Sequence, residues 1–540
     1  MRKILLLGML FIAGLNLHAQ NQKPKLVVGV VVDQMRFDYL NKFENHYSDD
    51  GFKRLKSGGF EMKNLHFDYV PTYTAPGHTS VFTGTSPMMH GIISNSWFNK
   101  TNGEYVYCAS DDSVNPLGTK DKAGKMSPHR LLTTTFADQN RLHTQFRGKT
   151  IGVSIKDRGA ILPAGHTANA AYWFHGKDEG HFISSDFYFD ELPEWVQEFN
   201  KSKIAKSYLK EWKTLKPIES YTESGSDENN YENGFKGKKK ATFPYDLKKL
   251  SKKNGGYDIL KATAYGNSLL LDFAKAAINH EKLGQGEFTD VLTLSFSSTD
   301  YVGHNFGVNS KEIQDTYVRL DLEIADLLNY LDKKVGEGNY TLFLTADHGA
   351  VHVPQFLKDE KIPAGYFDTK QFRKDVKSFV EENLDLDASV IRNISNNQIF
   401  LDYDQFKTYT DFVEVQNELK HFLIQYDQID KVFTRENIEN NDMSYSAAEL
   451  IKRGFNQKRS GDVIYALNPS VISYSRKGST HGSSLNYDTQ APFLIYGAGI
   501  KQGQSFRKAY ITDIAPTISA LLGTAMPNGA TGHVIIEALK

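Results

Sequence analysis

Leu26-Val27-Val28-Gly29-Val30-Val31-Val32 runs directly into Asp33-Gln34-Met35-Arg36. The run is continuously apolar and rich in β-branched residues, with none of the alternation that a strand with one wet face shows. That pattern is expected of a strand buried on both faces, inside a parallel sheet covered by helices. Val291 to Phe296 and Tyr340 to Ala346 have the same character, and Pro492 to Tyr496 is a fourth candidate. Helical patterns lie between them, for example Gly266 to Asn279 and Ser310 to Leu331. The order predicts βαβ units: an α/β fold with a mainly parallel sheet and helices on both faces. Thr512 to Leu522 reads as a closing helix with Asp513 at its N-cap.

Two regions interrupt this rhythm. Residues from about 165 to 262 are rich in Trp, Tyr, Lys, Asn and Gly, and the polar run Ser224 to Lys240 reads as a mobile loop. Residues from about 355 to 475 form a second block of mixed pattern, with Asn397 to Tyr403 a strand candidate. Both read as insertions on a single catalytic domain over residues 20–540.

The chain has 540 residues, 40% hydrophobic and 24% charged, ample for one large core. Lys+Arg total 63 against 64 for Asp+Glu, so composition makes no electrostatic case for nucleic acid or an anionic membrane surface. Arg2 and Lys3, an apolar run from Ile4 to Leu15 and Leu17-His18-Ala19 have the form of a secretory signal peptide over residues 1–19. The run is shorter than the ~20 residues a membrane-spanning helix needs. A periplasmic or secreted location without stable membrane association is expected. Cys108 is the only cysteine, which excludes an intramolecular disulfide and zinc sites built on several thiolates. With 17 His available, imidazole and carboxylate are the expected metal ligands.

The informative feature is where the acids fall. Val32 is followed by Asp33, Val291 to Phe296 leads through Ser297-Ser298-Thr299 to Asp300, and Ala346 is followed by Asp347-His348. One Asp after a strand is commonly a cap or turn residue. Three at the carboxyl ends of three core strands share the edge where ligands bind in open α/β sheets. Asp300 and His304 stand four apart, which on a helical turn brings both to one face. His481 lies among small residues in Lys477-Gly-Ser-Thr-His-Gly-Ser-Ser484. Three Asp and three His are potential ligands for two cations.

A nucleophile is expected in Pro71-Thr-Tyr-Thr74-Ala-Pro-Gly-His-Thr-Ser80, just before a helix whose N-terminus favours an anion. Local sequence leaves Thr72, Thr74, Thr79 and Ser80 open.

Taken together, Val30-Val-Val-Asp33-Gln-Met-Arg, Thr74-Ala-Pro-Gly-His-Thr-Ser, His90-Gly-Ile, Ser298-Thr-Asp300-Tyr-Val-Gly-His304, Ala346-Asp347-His348-Gly and the Thr480-His481-Gly loop resemble the alkaline phosphatase superfamily in order and spacing. The closest resemblance is to the phosphate-irrepressible, PafA-type bacterial alkaline phosphatases. That resemblance implies two zinc ions, one held by Asp300, His304 and His481, the other by Asp33, Asp347 and His348 with the Thr74 oxygen. It implies Thr74 as nucleophile through a phosphothreonine. Asn95, in Ser94-Asn95-Ser96-Trp97, would donate to a phosphoryl oxygen, and Lys156 and Arg158, in Ser154-Ile-Lys156-Asp-Arg158, match the pair that contacts the phosphoryl group in monoesterases. His78, His90, His166 and His352 fall outside the ligand set. The implied substrate is a small phosphate monoester and the implied state a monomer.

A nucleotide pyrophosphatase/phosphodiesterase would use the same metals and a Thr in a similar loop. A sulfatase lacks support, because no Cys/Ser-x-Pro-x-Arg sequence surrounds the nucleophile. A binding protein without turnover would need the ligands but no Thr74.

Overall fold

In the computed structural model of the chain, residues 23–177, 180–440 and 446–540 are described; the expected signal peptide lies outside them. Ten strands form the main sheet: β1 (Leu26–Val32), β2 (Phe60–Met62), β3 (Pro116–Leu117), β4 (Thr150–Ser154), β5 (Ala170–His175), β6 (His181–Ser185), β7 (Asp290–Phe296), β8 (Tyr340–Thr345), β9 (Phe493–Gly497) and β10 (Gly503–Ser505). Their spatial order is β10-β2-β9-β8-β1-β7-β4-β5-β6-β3. The five middle strands, β8 to β5 in that order, run parallel.

β1 is buried along its whole length, as its unbroken apolar run requires. Its register aligns Val32 with Phe296, and Val31 with both Ser295 and Thr345. The residues that follow β1, β7 and β8 therefore emerge at one edge. Helices α1 (Thr74–Thr83), α2 (Asp157–Ala164), α3 (Ala264–His280), α4 (Ser298–Phe306), α5 (Lys311–Lys334) and α6 (Ile514–Leu522) cover the sheet in two groups, α1 with α2 and α6, and α3 with α4 and α5.

The predicted helices at Gly266 and Ser310 are α3 and α5, the latter capped by Ser310 Oγ, which accepts from Ile313 N at 3.1 Å. The strand predicted from Pro492 is β9, but it runs antiparallel to β8. Its apolar run is the same in either direction, so direction is set by the path of the chain. The strand predicted over Asn397–Tyr403 shortens to Gln398–Leu401, because Tyr403–Gln405 turns into a 3-10 helix. Asp513 does not cap α6 with its side chain. Its carboxylate instead accepts from Tyr510 N at 2.9 Å and His533 N at 2.7 Å, fastening the C-terminal segment.

Within the first interrupting region, β5 and β6 extend the main sheet. Ser224–Lys240 carries no helix or strand, yet backbone bonds fasten it: Gly225 N to Asn309 O at 2.7 Å, Gly478 N to Tyr231 O at 2.8 Å and Asn233 N to Asn305 O at 2.7 Å. The second region builds a four-stranded sheet of its own, flanked by helices Thr369–Asn383 and Tyr409–Leu423 and filled by residues such as Phe372, Val376, Ile399 and Leu419. The tip of its first hairpin, Asn396-Asn397, adopts positive φ at both residues, a conformation that Asn tolerates. Asn396 Nδ2 reaches across to donate to Ser96 O at 2.8 Å.

The fastened segment buries Glu232, whose Oε1 accepts from Asn229 Nδ2 at 2.5 Å while its Oε2 has no hydrogen-bond partner. Burial, then the charge of Glu312, pushes this carboxyl up to about 10. The unfolded group titrates near pH ~4.3, so between that value and 10 the folded chain holds a proton that the unfolded chain has released. Stability contributed here is present at low pH and lost as pH rises. Glu232→Gln keeps the acceptor and removes the titration. Thermal unfolding followed by circular dichroism is expected to show the variant more stable than the parent by about 1 kcal/mol or more at pH 9 and nearly unchanged at pH 5.

Candidate active site

The parallel edge delivers its three carboxylates into one buried cluster. Asp33 follows β1 and is fixed by its N–H, which donates to Phe296 O at 3.0 Å. Asp300 sits in the first turn of α4 and His304 one turn later, with Nε2 to Oδ1 at 3.2 Å. Asp347 and His348 follow β8 with both side chains fully buried. His481 enters on a loop, its ring stacked on that of His348 at 3.4 Å between centroids and 12° between planes.

All three imidazoles are held the same way. Nδ1 of His304 meets Ser479 O at 2.7 Å, Nδ1 of His348 meets Gly349 O at 2.9 Å, and Nδ1 of His481 meets Thr72 O at 2.6 Å. A carbonyl only accepts, so Nδ1 carries the proton and donates, leaving the Nε2 lone pair aimed at the carboxylates. Burial pushes His348 and His481 below the usual histidine range, which keeps them neutral.

Nε2 of His348 lies 3.6 Å from Asp33 Oδ1 and 3.5 Å from Asp347 Oδ2, and Nε2 of His481 lies 3.7 Å from Asp300 Oδ1. His348 Nε2, Asp33 Oδ1 and Asp347 Oδ2 are buried without a hydrogen bond. Lone pairs facing one another with no proton between them fit bound cations. Ligand atoms within 4.8 Å of one another form three overlapping groups: Asp300, His304 and His481; Asp33, Asp300 and His348; Asp33, His78 and Asp347. Six expected ligands thus converge, with His78 beside them. His78 Nδ1 stands 3.1 Å from Asp347 Oδ2 and 2.9 Å from Thr74 O, and its Nε2 meets Ser295 Oγ at 2.8 Å.

Burial and the charge of Asp347 raise the pKa of Asp33, which Lys156 partly offsets. Asp300 moves the other way: burial alone would raise it, but His304 and Lys156 hold it well below the usual carboxylate range. Lys156, on the turn between β4 and α2, places Nζ 2.8 Å from Asp33 Oδ2, 2.5 Å from Asp300 Oδ2 and 3.5 Å from Thr74 Oγ1. Burial works against its charge, yet Asp300 and Asp33 raise its pKa, so the ammonium persists at any ordinary pH.

Thr74 is the first residue of α1, buried, with Tyr73 at the N-cap. Asn95 Oδ1 accepts from Ala75 N at 2.8 Å, which fixes the amide and frees both Nδ2 protons for a ligand beside Thr74. Arg158 Nη1 donates to Tyr107 Oη at 3.0 Å, and that hydroxyl in turn donates to Asp157. The Arg158 Nε is buried without a partner. Of the other histidines expected outside the ligand set, His90 bonds Ser80 Oγ at 3.0 Å and accepts a hydrogen bond from Ile92 N at 3.1 Å, His352 stacks on Phe356, and His166 is half-buried.

Sequence reasoning missed Gln34 and Tyr107. Gln34 donates from its backbone N to Asp347 Oδ1 at 3.0 Å and from Nε2 to Asp300 Oδ1 at 2.8 Å. Its positive φ of 63° turns the chain sharply after Asp33. Position after a strand-end Asp is the only signal that could have found it. Tyr107 carried none.

A mostly parallel α/β sheet with Asp and His ligands at its carboxyl edge and a threonine at a helix N-terminus defines the class: the chain belongs to the type I phosphodiesterase / nucleotide pyrophosphatase family, which it matches over residues 27–491. Among curated relatives it is 42% identical to alkaline phosphatase PafA of Elizabethkingia meningoseptica, covering 99% of this chain and 98% of that one. It is 45% identical to alkaline phosphatase PhoV of Synechococcus elongatus, over 96% and 93%. A Myroides odoratus protein named calcium-transporting ATPase is 47% identical over 96% and 95%. The crystal structure of wild-type PafA superposes with a TM-score of 0.92 at 42% identity, covering 96% of this chain and 99% of that one. Among the described residues no helix is long and apolar enough to cross a membrane.

Two glycines set the close approaches. A Cβ at Gly303 would lie 1.9 Å from Gln34 Oε1, and one at Gly77 would lie 2.2 Å from the backbone oxygen of Asp347. The first displaces a side chain, the second the main chain of a candidate ligand. Gly303→Ala is expected to lower metal retention about tenfold and Gly77→Ala more severely, read as metal content after dialysis against a competing chelator.

Proposed function

We infer that this chain is an alkaline phosphatase, a phosphoric monoester hydrolase that releases inorganic phosphate from small phosphate monoesters. The observation that carries this is Lys156, a buried cation 3.5 Å from the Thr74 hydroxyl and clamped between Asp33 and Asp300. High identity to two named alkaline phosphatases over nearly full length supports the same reading.

The ligand sets Asp300/His304/His481 and Asp33/Asp347/His348, the latter with the Thr74 oxygen, would hold two zinc ions. When bound, these supply Lewis-acid stabilisation of the attacking and leaving oxygens. Thr74 Oγ1 attacks phosphorus in line, the ester oxygen departs with its alcohol, and a phosphothreonine forms; water then attacks that phosphorus and restores Thr74. The N-terminus of α1 turns its positive dipole end toward the anion, while the Ala75 N–H is taken by Asn95 Oδ1 and the Gly77 N–H by Tyr73 O. Lys156 matches its charge to the oxygens of the transferred group, Asn95 Nδ2 donates to one of them, and Arg158, steadied by Tyr107, adds a second cation. Two fixed cations suit the dianion of a monoester better than the monoanion of a diester.

The runner-up is a nucleotide pyrophosphatase/phosphodiesterase, favoured by the family's own description. Lys156→Ala/Arg158→Ala is expected to cost monoester kcat/KM about 100-fold or more beyond any loss on a bis-aryl diester. Equal losses on both would favour the diesterase.

Thr74→Ala is expected to lower monoester turnover by about a thousandfold or more, far beyond any loss of metal content, because Asp33, Asp347 and His348 remain, and rapid acid quench with labelled substrate should trap phosphate on the parent but not on the variant. Chelation should abolish activity and zinc restore it. Export after loss of residues 1–19, and action as a monomer, complete the proposal.

A further inference from the structure

Between the second inserted region and the His481 loop lies a cavity of about 150 Å³. Ile464, Ala466 and Leu467 of the inserted sheet line one wall, with the hairpin tip Asn396-Asn397 at its end; Val70, Pro71 and Tyr73 line the other. Its lining shares His481 with the candidate site and comes within one residue of it at two further points. Tyr73 directly precedes Thr74. Asn396 is bonded to Ser96, the neighbour of Asn95. His481 is both a wall residue and a candidate ligand.

The Tyr73 ring meets the His481 ring edge-on at 5.7 Å between centroids. Gly482, at φ +121°, makes that approach possible, since a Cβ there would lie 2.7 Å from the ring. The walls combine apolar residues with polar ones, among them Asn397, Gln398, Ser473 and Asp488. Asp488 Oδ2 accepts from Ser483 N at 2.7 Å while its buried Oδ1 has no partner.

In-line displacement places the leaving oxygen opposite Thr74 Oγ1, on the side served by Asp300, His304 and His481. The carbon attached to that oxygen continues away from Thr74. We propose that it continues into this cavity, which takes the alcohol moiety of the substrate: a compact, flat, apolar group of phenyl size bearing a hydrogen-bond donor for Asp488. Apolar cavities of about this volume admit a benzene ring. The inserted region thereby becomes the specificity wall of the enzyme. This rests on the monoesterase reading and names its preferred ester class.

The test is the ratio of kcat/KM for phenyl phosphate to that for methyl phosphate, measured on the zinc-loaded enzyme. Ala466→Trp fills the cavity and is expected to lower the ratio about tenfold. Leu467→Ala widens it and is expected to raise the ratio of 1-naphthyl to phenyl phosphate about threefold; it carries the test alone if the tryptophan variant does not fold. Both ratios unchanged would overturn the cavity assignment while leaving the monoesterase intact. A parent enzyme inactive on both monoesters would overturn the underlying reading and the proposal with it.

Discussion

Asp33, Asp300 and Asp347 sit at one edge of one sheet, fully buried, where water cannot screen their mutual repulsion. Three carboxylates so placed cannot all remain ionised without positive charge among them. The surrounding structure is arranged around that need. Lys156 bridges two of the acids, Gln34 donates to two, and three imidazoles turn their Nε2 atoms into the gaps between them. The result is a site short of positive charge and rich in ligand atoms, which is the condition for binding divalent cations tightly.

Holding repelling groups in place demands a rigid frame. The five parallel strands supply it, because β1 is paired with β7 along its whole length and with β8 from Leu26 to Val31, and its side chains are enclosed on both faces. The candidate imidazole ligands come from helix α4 (His304), the segment after β8 (His348) and a loop (His481), and are locked by main-chain carbonyls rather than by other side chains. Thr72 O, Ser479 O and Gly349 O each take one imidazole proton. The Tyr231–Gly478 and Asn233–Asn305 bonds then fasten the surface segment behind His304 and the His481 loop. The second inserted region leans on the same site through Asn396 and Ser96.

The family's description names phosphodiesterases and nucleotide pyrophosphatases, while two of the relatives are named alkaline phosphatases, so membership of the family does not by itself decide the ester class. The groups that could decide it lie outside the ligand set. Lys156 and Arg158 arrive together on the turn from β4 into α2; in the proposed mechanism their two charges meet the phosphoryl oxygens, and the cavity beside His481 takes the other half of the ester. On that reading reaction class and alcohol preference come from different parts of the chain, the first from the main sheet and the second from an insertion.

Much of this was legible in the residues alone. Valine-rich runs must be buried on both faces, so the parallel sheet, and with it the shared edge of Asp33, Asp300 and Asp347, followed from local pattern. The i to i+4 spacing of Asp300 and His304 likewise became one helical face. What the chain could not disclose was anything that depends on two distant segments meeting. The direction of β9, the double role of Gln34, the support of Arg158 by Tyr107 and the diversion of the Asp513 carboxylate to Tyr510 and His533 all arise from such meetings. The wall built by Ala466 and Leu467 near Thr74, some 390 residues earlier in the chain, is of the same kind. Burial and strand periodicity act over a few residues and are written locally; which carboxylate a donor finds, and which loop closes a cavity, are settled only when the whole sheet brings those segments within hydrogen-bonding distance.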